Sequence, residues 1–291
     1  MRDLTMRQGR IVFANLMGLL ILLVGASTCH ATLVMTACSA KQVVIGADGL
    51  RQTPGEFRPT TQACKIQQGA ERCFFASVGV THFPDILTPT GKTSHFDMTS
   101  MASKVCQGKG TLGERALSFQ KSSLDQVRRA MEHIRDYRPE VYAMLHPDGV
   151  RARIDVVFVE GGPPFSVAMV GWVEDEHGSI ILDNNPIIVS STSLDGHNKC
   201  IYGAGVTQNV LPYERRHPEL QDMNDADILH NVISGAISLE GNPPRIGQPI
   251  AVLVIDKDGP KWIDQGLCGP ISKHPQGEGK STNSKASSPV R

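Results

Sequence analysis

The spacing of apolar residues changes several times along the chain, and each change marks an element. Leu33 to Ala37 and Gln42 to Ala47 are short, β-rich runs joined by Cys38-Ser39-Ala40-Lys41, which predicts a hairpin. Lys65 to Gln68 and Arg72 to Val80 predict a second hairpin around Gly69-Ala70. Residues 49–62, with their Gly, Pro and Thr, read as an exposed loop, and the Pro- and Thr-rich residues 81–96 as irregular chain. A helical segment is then predicted from Asp97 to Cys106. Thr111 and Glu114 have the spacing of a capping box. Leu117, Leu124, Val127, Met131 and Ile134 follow three, four and seven apart, as one apolar helix face that ends before Pro139.

Strand patterns return in Ile154 to Val159, Phe165 to Trp172 and Ser179 to Leu182, with shorter candidates at Ile187 to Ser190 and Lys199 to Gly203. Asp225 reads as the cap of a helix with Ile228, Leu229, Val232, Ile233, Ala236 and Ile237 inward and Gly241 past its end. Pro249 to Asp256 is nearly continuous apolar sequence, as in a buried central strand, and Lys257-Asp258-Gly259 turns it into Lys261 to Asp264. Strands segregated from helices predict an α+β fold, two antiparallel sheets packed between helix layers. No repeat and no second domain is visible. The domain is expected over 32–268, and the polar residues 269–291 read as a disordered tail.

The first 31 residues have a different character. Met1 to Arg10 carries three arginines and one aspartate, Ile11 to Ala26 is mostly apolar, and Ser27-Thr28-Cys29-His30-Ala31 follows. This is the order of a secretory signal peptide. The apolar run is shorter than the roughly 20 residues of a spanning helix, so membrane contact is expected only through a leader left uncut. Cleavage after Ala31 makes Thr32 the first residue. Cleavage after Ala26 leaves Ser27 first, and lipidation of Cys29 is a third alternative. The mature chain is expected to be exported, periplasmic or extracellular.

Bulk composition narrows the partners. The formal charge is zero, with 29 basic and 29 acidic residues; removing Arg2, Arg7, Arg10 and Asp3 with the leader leaves 26 and 28. No basic stripe interleaved with aromatics is present, so nucleic acid is not expected as a partner. Six cysteines remain beyond the leader, at 38, 64, 73, 106, 200 and 268. An even number in an exported chain permits disulfides, and Cys64 and Cys73, which flank a hairpin, are the first pair to test. Neither the cysteines nor the ten histidines have zinc-site spacing. No metal and no cofactor is expected.

Thr32 stands directly behind the leader and opens the first strand, Asp48 closes the second, and Lys65 opens the third. Taken singly, each has an ordinary role: a strand residue, a turn cap, a solvated edge. Together they resemble the proteasome-type branch of the N-terminal nucleophile hydrolases, which includes proteasome β subunits and their bacterial relatives. There the nucleophilic threonine precedes an aspartate by sixteen residues, in an Ala-Asp context, as Thr32 precedes Ala47-Asp48. Lys65-Ile66 resembles the family's Lys-Ile. Phe74 to Gly79 is similar to its next strand, whose glycine gives a backbone N–H to the oxyanion: Gly79 by spacing, with Ser77 as the alternative. Tyr202 to Gly205, Ile246 to Val252 and Lys257-Asp258-Gly259 resemble later motifs, so the likeness spans about 32 to 265.

The resemblance implies a four-layer αββα sandwich and a threonine-type amidohydrolase, a peptidase in the first instance. An amino-terminal Thr32 would be nucleophile and base together, acting through an acyl-enzyme, with Lys65 held by Asp48 and the oxyanion at Gly79. The expected partners are a peptide or amide substrate and, from the family's rings, further copies of the chain. Departures point elsewhere. Ala204 and Ile246 stand where the family has auxiliary serines, and its further aspartate falls near Asn242 or Pro243. Ala31 precedes Thr32 where self-processing members carry glycine, which makes signal peptidase the natural route to a free Thr32. A non-catalytic binding or assembly protein is therefore the second expectation, and amide hydrolysis on a small molecule a third.

Overall fold

The computed structural model describes residues 32–52, 59–87, 93–146, 151–194, 199–241 and 245–272. The expected leader, Asn242 and Pro243, and the tail beyond 272 lie outside the described residues. β1 (Leu33–Cys38) and β2 (Gln42–Asp48) form the expected hairpin. β13 (Cys200–Gly205) pairs with the other edge of β1. β14 (Ile250–Asp256) pairs with β2, and β15 (Gly259–Asp264) with β14. The result is a five-stranded antiparallel sheet in the order β13-β1-β2-β14-β15.

A second antiparallel sheet begins with the hairpin of β5 (Ile66–Ala70) and β6 (Cys73–Val78). It continues through β9 (Arg153–Glu160), β10 (Ser166–Glu174) and β11 (Ile180–Leu182), and β12 (Ile187–Ser190) also pairs with β10. Alternation along the strands assigns the faces. Val34 and Cys38, Val43 and Ile45, Leu253 and Ile255 share one buried cluster with Phe74, Val157 and Val167, so the two sheets pack face to face. The intervening residues Leu33, Met35, Val44 and Val252 turn the other way, onto a helix. All six residues of β1 are consequently buried.

Helices lie against part of each outer face. α1 (Met98–Gln107) is capped by Asp97, whose carboxylate accepts from Ser100 N at 3.1 Å. α2 (Leu112–Tyr137) has the expected capping box of Thr111 and Glu114. It buries Val127, Met131 and Ile134 against β9 and β10, and Leu117 and Leu124 pack at the margin. After α3 (Pro139–Met144) and α4 (Val210–Arg216), α5 (Asp225–Ser238) lays Ile228, Leu229, Val232 and Ile233 on the first sheet. Gly46 admits this contact: a Cβ there would lie 2.8 Å from Ile233 Cδ1. The cap of α5 is Asn224, which accepts from Asp227 N at 3.0 Å, and not Asp225. Both residue types cap well, so sequence alone does not separate neighbours.

The expectation of an α+β, four-layer αββα sandwich requires correction. The described residues are mostly β, with fifteen strands, while α3 and α4 have only six and seven residues. Four of the strands lie outside both main sheets. The stretch read as an exposed loop holds β3 (Leu50–Gln52) paired with β4 (Pro59–Gln62). The stretch read as irregular holds β7 (His82–Leu87) paired with β8 (Thr93–Asp97). The prolines and threonines there suggested breaks. Threonine and phenylalanine favour strands, however, and a proline is tolerated at a strand's first position, as Pro59 is in β4. Two antiparallel sheets with partial helical cover is the architecture observed.

Candidate active site

The site is built where the start of β1, the end of β2 and the chain entering β5 converge. Asp48, the last residue of β2, is buried to 1 % exposure. Its Oδ1 accepts from Leu33 N and from Lys65 Nζ, each at 2.8 Å. Its Oδ2 accepts from Leu50 N and Gly247 N, each at 3.1 Å. Both carboxylate oxygens are thus engaged, one of them shared between Lys65 and the amide that follows Thr32. Charge-assisted bonds of this kind are about twice as strong as neutral ones. Leaving a buried charge with no compensating partner costs about 3–5 kcal/mol. Of the three residues singled out by sequence, Asp48 and Lys65 are in direct contact, and Thr32 adjoins them through the amide of Leu33.

Thr32 is held from its other side as well. Its carbonyl accepts from Val206 N at 2.9 Å. The approach requires glycine at 205, which has φ +86° and where a Cβ would fall 2.0 Å from that carbonyl oxygen. Left-handed backbone of this kind costs a residue with a Cβ about 1–2 kcal/mol before any clash. Residue 32 is 8 % exposed and stands immediately before β1.

Lys65 is fixed by its neighbour. Cys64 is bonded to Cys268, 204 residues away, and Cys73 to Cys106. The expected Cys64–Cys73 pair is thus corrected. In the hairpin register Ala70 opposes Cys73 and Ile66 opposes Ala76, so Cys64 lies before the ladder and faces no residue of β6. Gly69 lets α1 approach closely enough for the second bridge, since a Cβ there would lie 2.6 Å from Cys106 Cβ.

Gly79 follows β6 with φ +94°. The preceding Val78 side chain lies against Gly205, beside the Thr32 carbonyl, which brings the end of β6 to the start of β1. Ser77 belongs to the other face: by parity it turns with Phe75 toward α1 and α2, and its Oγ is buried without a hydrogen-bond partner. The two positions that correspond to auxiliary serines are core positions here. Ala204 is 4 % exposed between the sheets, and Ile246 is fully buried beneath α5.

Sequence reasoning missed the amide of Gly247, the amide of Val206 and the bridge from Cys64 to Cys268. Backbone amides at these positions carry no side-chain signal. The close packing of Gly49 on the Pro249 carbonyl, whose oxygen would lie 2.4 Å from a Cβ at 49, gives none in one dimension either. Among the described residues, no three His, Cys, Asp or Glu side chains are grouped to hold a metal ion. No helix among them is long and apolar enough to cross a membrane. The arrangement offers a hydroxyl residue with an anchored backbone, a buried lysine–carboxylate pair and a nearby positive-φ glycine. No protein-family model matches the chain, and no curated protein matches it.

Proposed function

We propose that this chain is an exported threonine-type amidohydrolase, a peptidase in the first instance, that works with Thr32 as its amino-terminal residue. The observation that carries the reading is the single Asp48 oxygen shared by Lys65 Nζ and Leu33 N, each at 2.8 Å. That oxygen sets a lysine charge within two hydrogen-bond lengths of the backbone that follows the candidate nucleophile. The spacing of Thr32, Asp48 and Lys65 and its resemblance to the N-terminal nucleophile hydrolases support the same assignment.

Freed of a leader, Thr32 has an α-amine whose reference pKa is about 7.7–8.0, so a useful fraction is neutral near pH 7. The amine takes the Oγ proton as Oγ attacks the substrate carbonyl carbon. Lys65 favours the charge developing on Oγ, and Asp48 holds Lys65 and the first backbone amide in register. The Gly79 N–H receives the oxyanion. Collapse expels the amine product, which takes up the proton and leaves an ester on Thr32, and water hydrolyses that ester. The two disulfides support export, since such bonds persist in oxidising compartments. Intact-mass measurement of the secreted protein should give a chain beginning at Thr32. A covalent threonine-directed inhibitor should label it once, with loss of label in Thr32→Ala. A first residue of Ser27 or Cys29 would remove direct catalysis by Thr32.

One observation favours a second reading, a non-catalytic binding or assembly protein that associates with further copies. Ala204 and Ile246 fill core positions and supply no auxiliary hydroxyl. A chain that starts at Thr32 yet resists the inhibitor would select this reading.

A further inference from the structure

At the far end of the same strand pair that holds Thr32, two thiols face each other. Cys38 and Cys200 are directly opposed in the β1–β13 ladder. Opposed residues in an antiparallel pair have Cα atoms about 4.5–5.5 Å apart, which lies within the roughly 4.4–6.8 Å that a disulfide spans. The Cys200 thiol donates to the Cys38 carbonyl oxygen at 3.7 Å, and the Cys38 thiol to the Ser39 carbonyl oxygen at 4.0 Å. Yet both are free, while the other four cysteines beyond residue 31 are paired. Their accessibility differs: Cys38 is fully buried and Cys200 is part-exposed.

We propose that Cys38 and Cys200 form a thiol–disulfide exchange site for a small-molecule disulfide such as oxidised glutathione, with Cys200 as the attacking sulfur and Cys38 as the resolving one. Cys200 thiolate attacks one sulfur of the incoming disulfide, forms a mixed disulfide and releases one small thiolate. Cys38 gives up its proton and attacks Cys200 Sγ, releasing the second. The net change is oxidation of two protein thiols to one disulfide and reduction of the small disulfide to two thiols. The contact with Cys38 draws the Cys200 thiol below its ordinary value, against the effect of burial, and Tyr202 adds a second lowering contact. The same contact and burial push Cys38 up, which suits a sulfur that acts second. The assignment does not depend on any activity at Thr32.

The test uses the full-length exported protein, folded, in glutathione buffers of graded ratio, with free thiols trapped by a maleimide and mapped by peptide mass spectrometry. Wild-type protein should gain and lose a Cys38–Cys200 disulfide reversibly while the other two bridges stay formed. Cys38→Ser should accumulate one glutathione on Cys200. Cys200→Ser should be modified at Cys38 about tenfold more slowly or not at all. Thiols that stay trappable in fully oxidised buffer would overturn the proposal. So would a Cys38–Cys200 bridge that native-state glutathione never reduces, since it would then be structural. Equal rates in the two variants would overturn the assignment of roles. The wild-type arms decide the matter even where a serine variant fails to fold.

Discussion

At the scale of single residues, Asp48 and Lys65 are unequal partners. Asp48 accepts from three backbone amides besides the lysine, so its carboxylate stays solvated by the fold when the lysine is lost. Lys65→Met leaves the carboxylate with three donors and should cost about 1–3 kcal/mol. Asp48→Asn takes the counter-charge from a buried ammonium and turns an NH2 toward donors, and should cost about 3–5 kcal/mol. Urea unfolding of both variants checks the order; equal losses would mean that the amide contacts contribute little. Glu214 carries a second residue-level expectation. Burial pushes its carboxyl up to about 7, and its Oε2 is buried without a hydrogen-bond partner. The raised folded value means that the native state binds the proton more tightly. The stability this group contributes is therefore full below about pH 4.5 and is lost as pH rises through about 7. Glu214→Gln should stabilise the protein at pH 8 by about 1–2 kcal/mol, a value reduced for the side chain's partial exposure, and should do little at about pH 4. Thermal melts at the two pH values measure this.

At the scale of elements, what sequence made legible followed from periodicity. The β1–β2 and β5–β6 hairpins, the apolar face of α2, the inward stripe of α5 and the β14–β15 pair all lie where their patterns put them. Short elements were not legible. Seven-residue α4 has too few turns to show a period, and the ribbons β3–β4 and β7–β8 lie in Pro- and Thr-rich sequence. Covalent cross-links were not legible either, because partner choice depends on which elements the folded chain brings together. Cys64 and Cys268 meet only once β14 and β15 have delivered the chain's end to the entrance of β5. In the chain-entropy account, the 204-residue separation of this bridge makes it worth about 5 kcal/mol and the 33-residue separation of Cys73–Cys106 about 4. Paired serine substitutions should therefore rank in that order by denaturant midpoint. The Cys64–Cys268 variant should also lose Lys65-dependent labelling of Thr32 first, because Cys64 fixes the adjoining residue.

For the whole molecule, the candidate site was more legible than the architecture. Thr32, Asp48 and Lys65 could be chosen by residue type and spacing, and in the structure Asp48 binds Lys65 and the amide of Leu33, next to Thr32. The balance of layers could not be chosen that way, since it depends on how many loops become strands, and the fold is more β-rich than the pattern suggested. Residue 32 is anchored through the Leu33 amide and its own carbonyl, and neither bond involves the peptide link before it. On the proposed function, release of Thr32 should change activity without refolding the domain. Uncut and cut forms should unfold at temperatures within a few degrees of each other, while only the cut form reacts with the threonine-directed inhibitor.

The bridge between Cys64 and Cys268 also makes most of the polypeptide a closed loop. A protease that severs one peptide bond between those positions opens the loop without separating its pieces. A singly nicked molecule should migrate as one species on a non-reducing gel and resolve into two fragments only after reduction. Residues 65–267 thus share a tolerance to backbone breaks that the flanking segments lack.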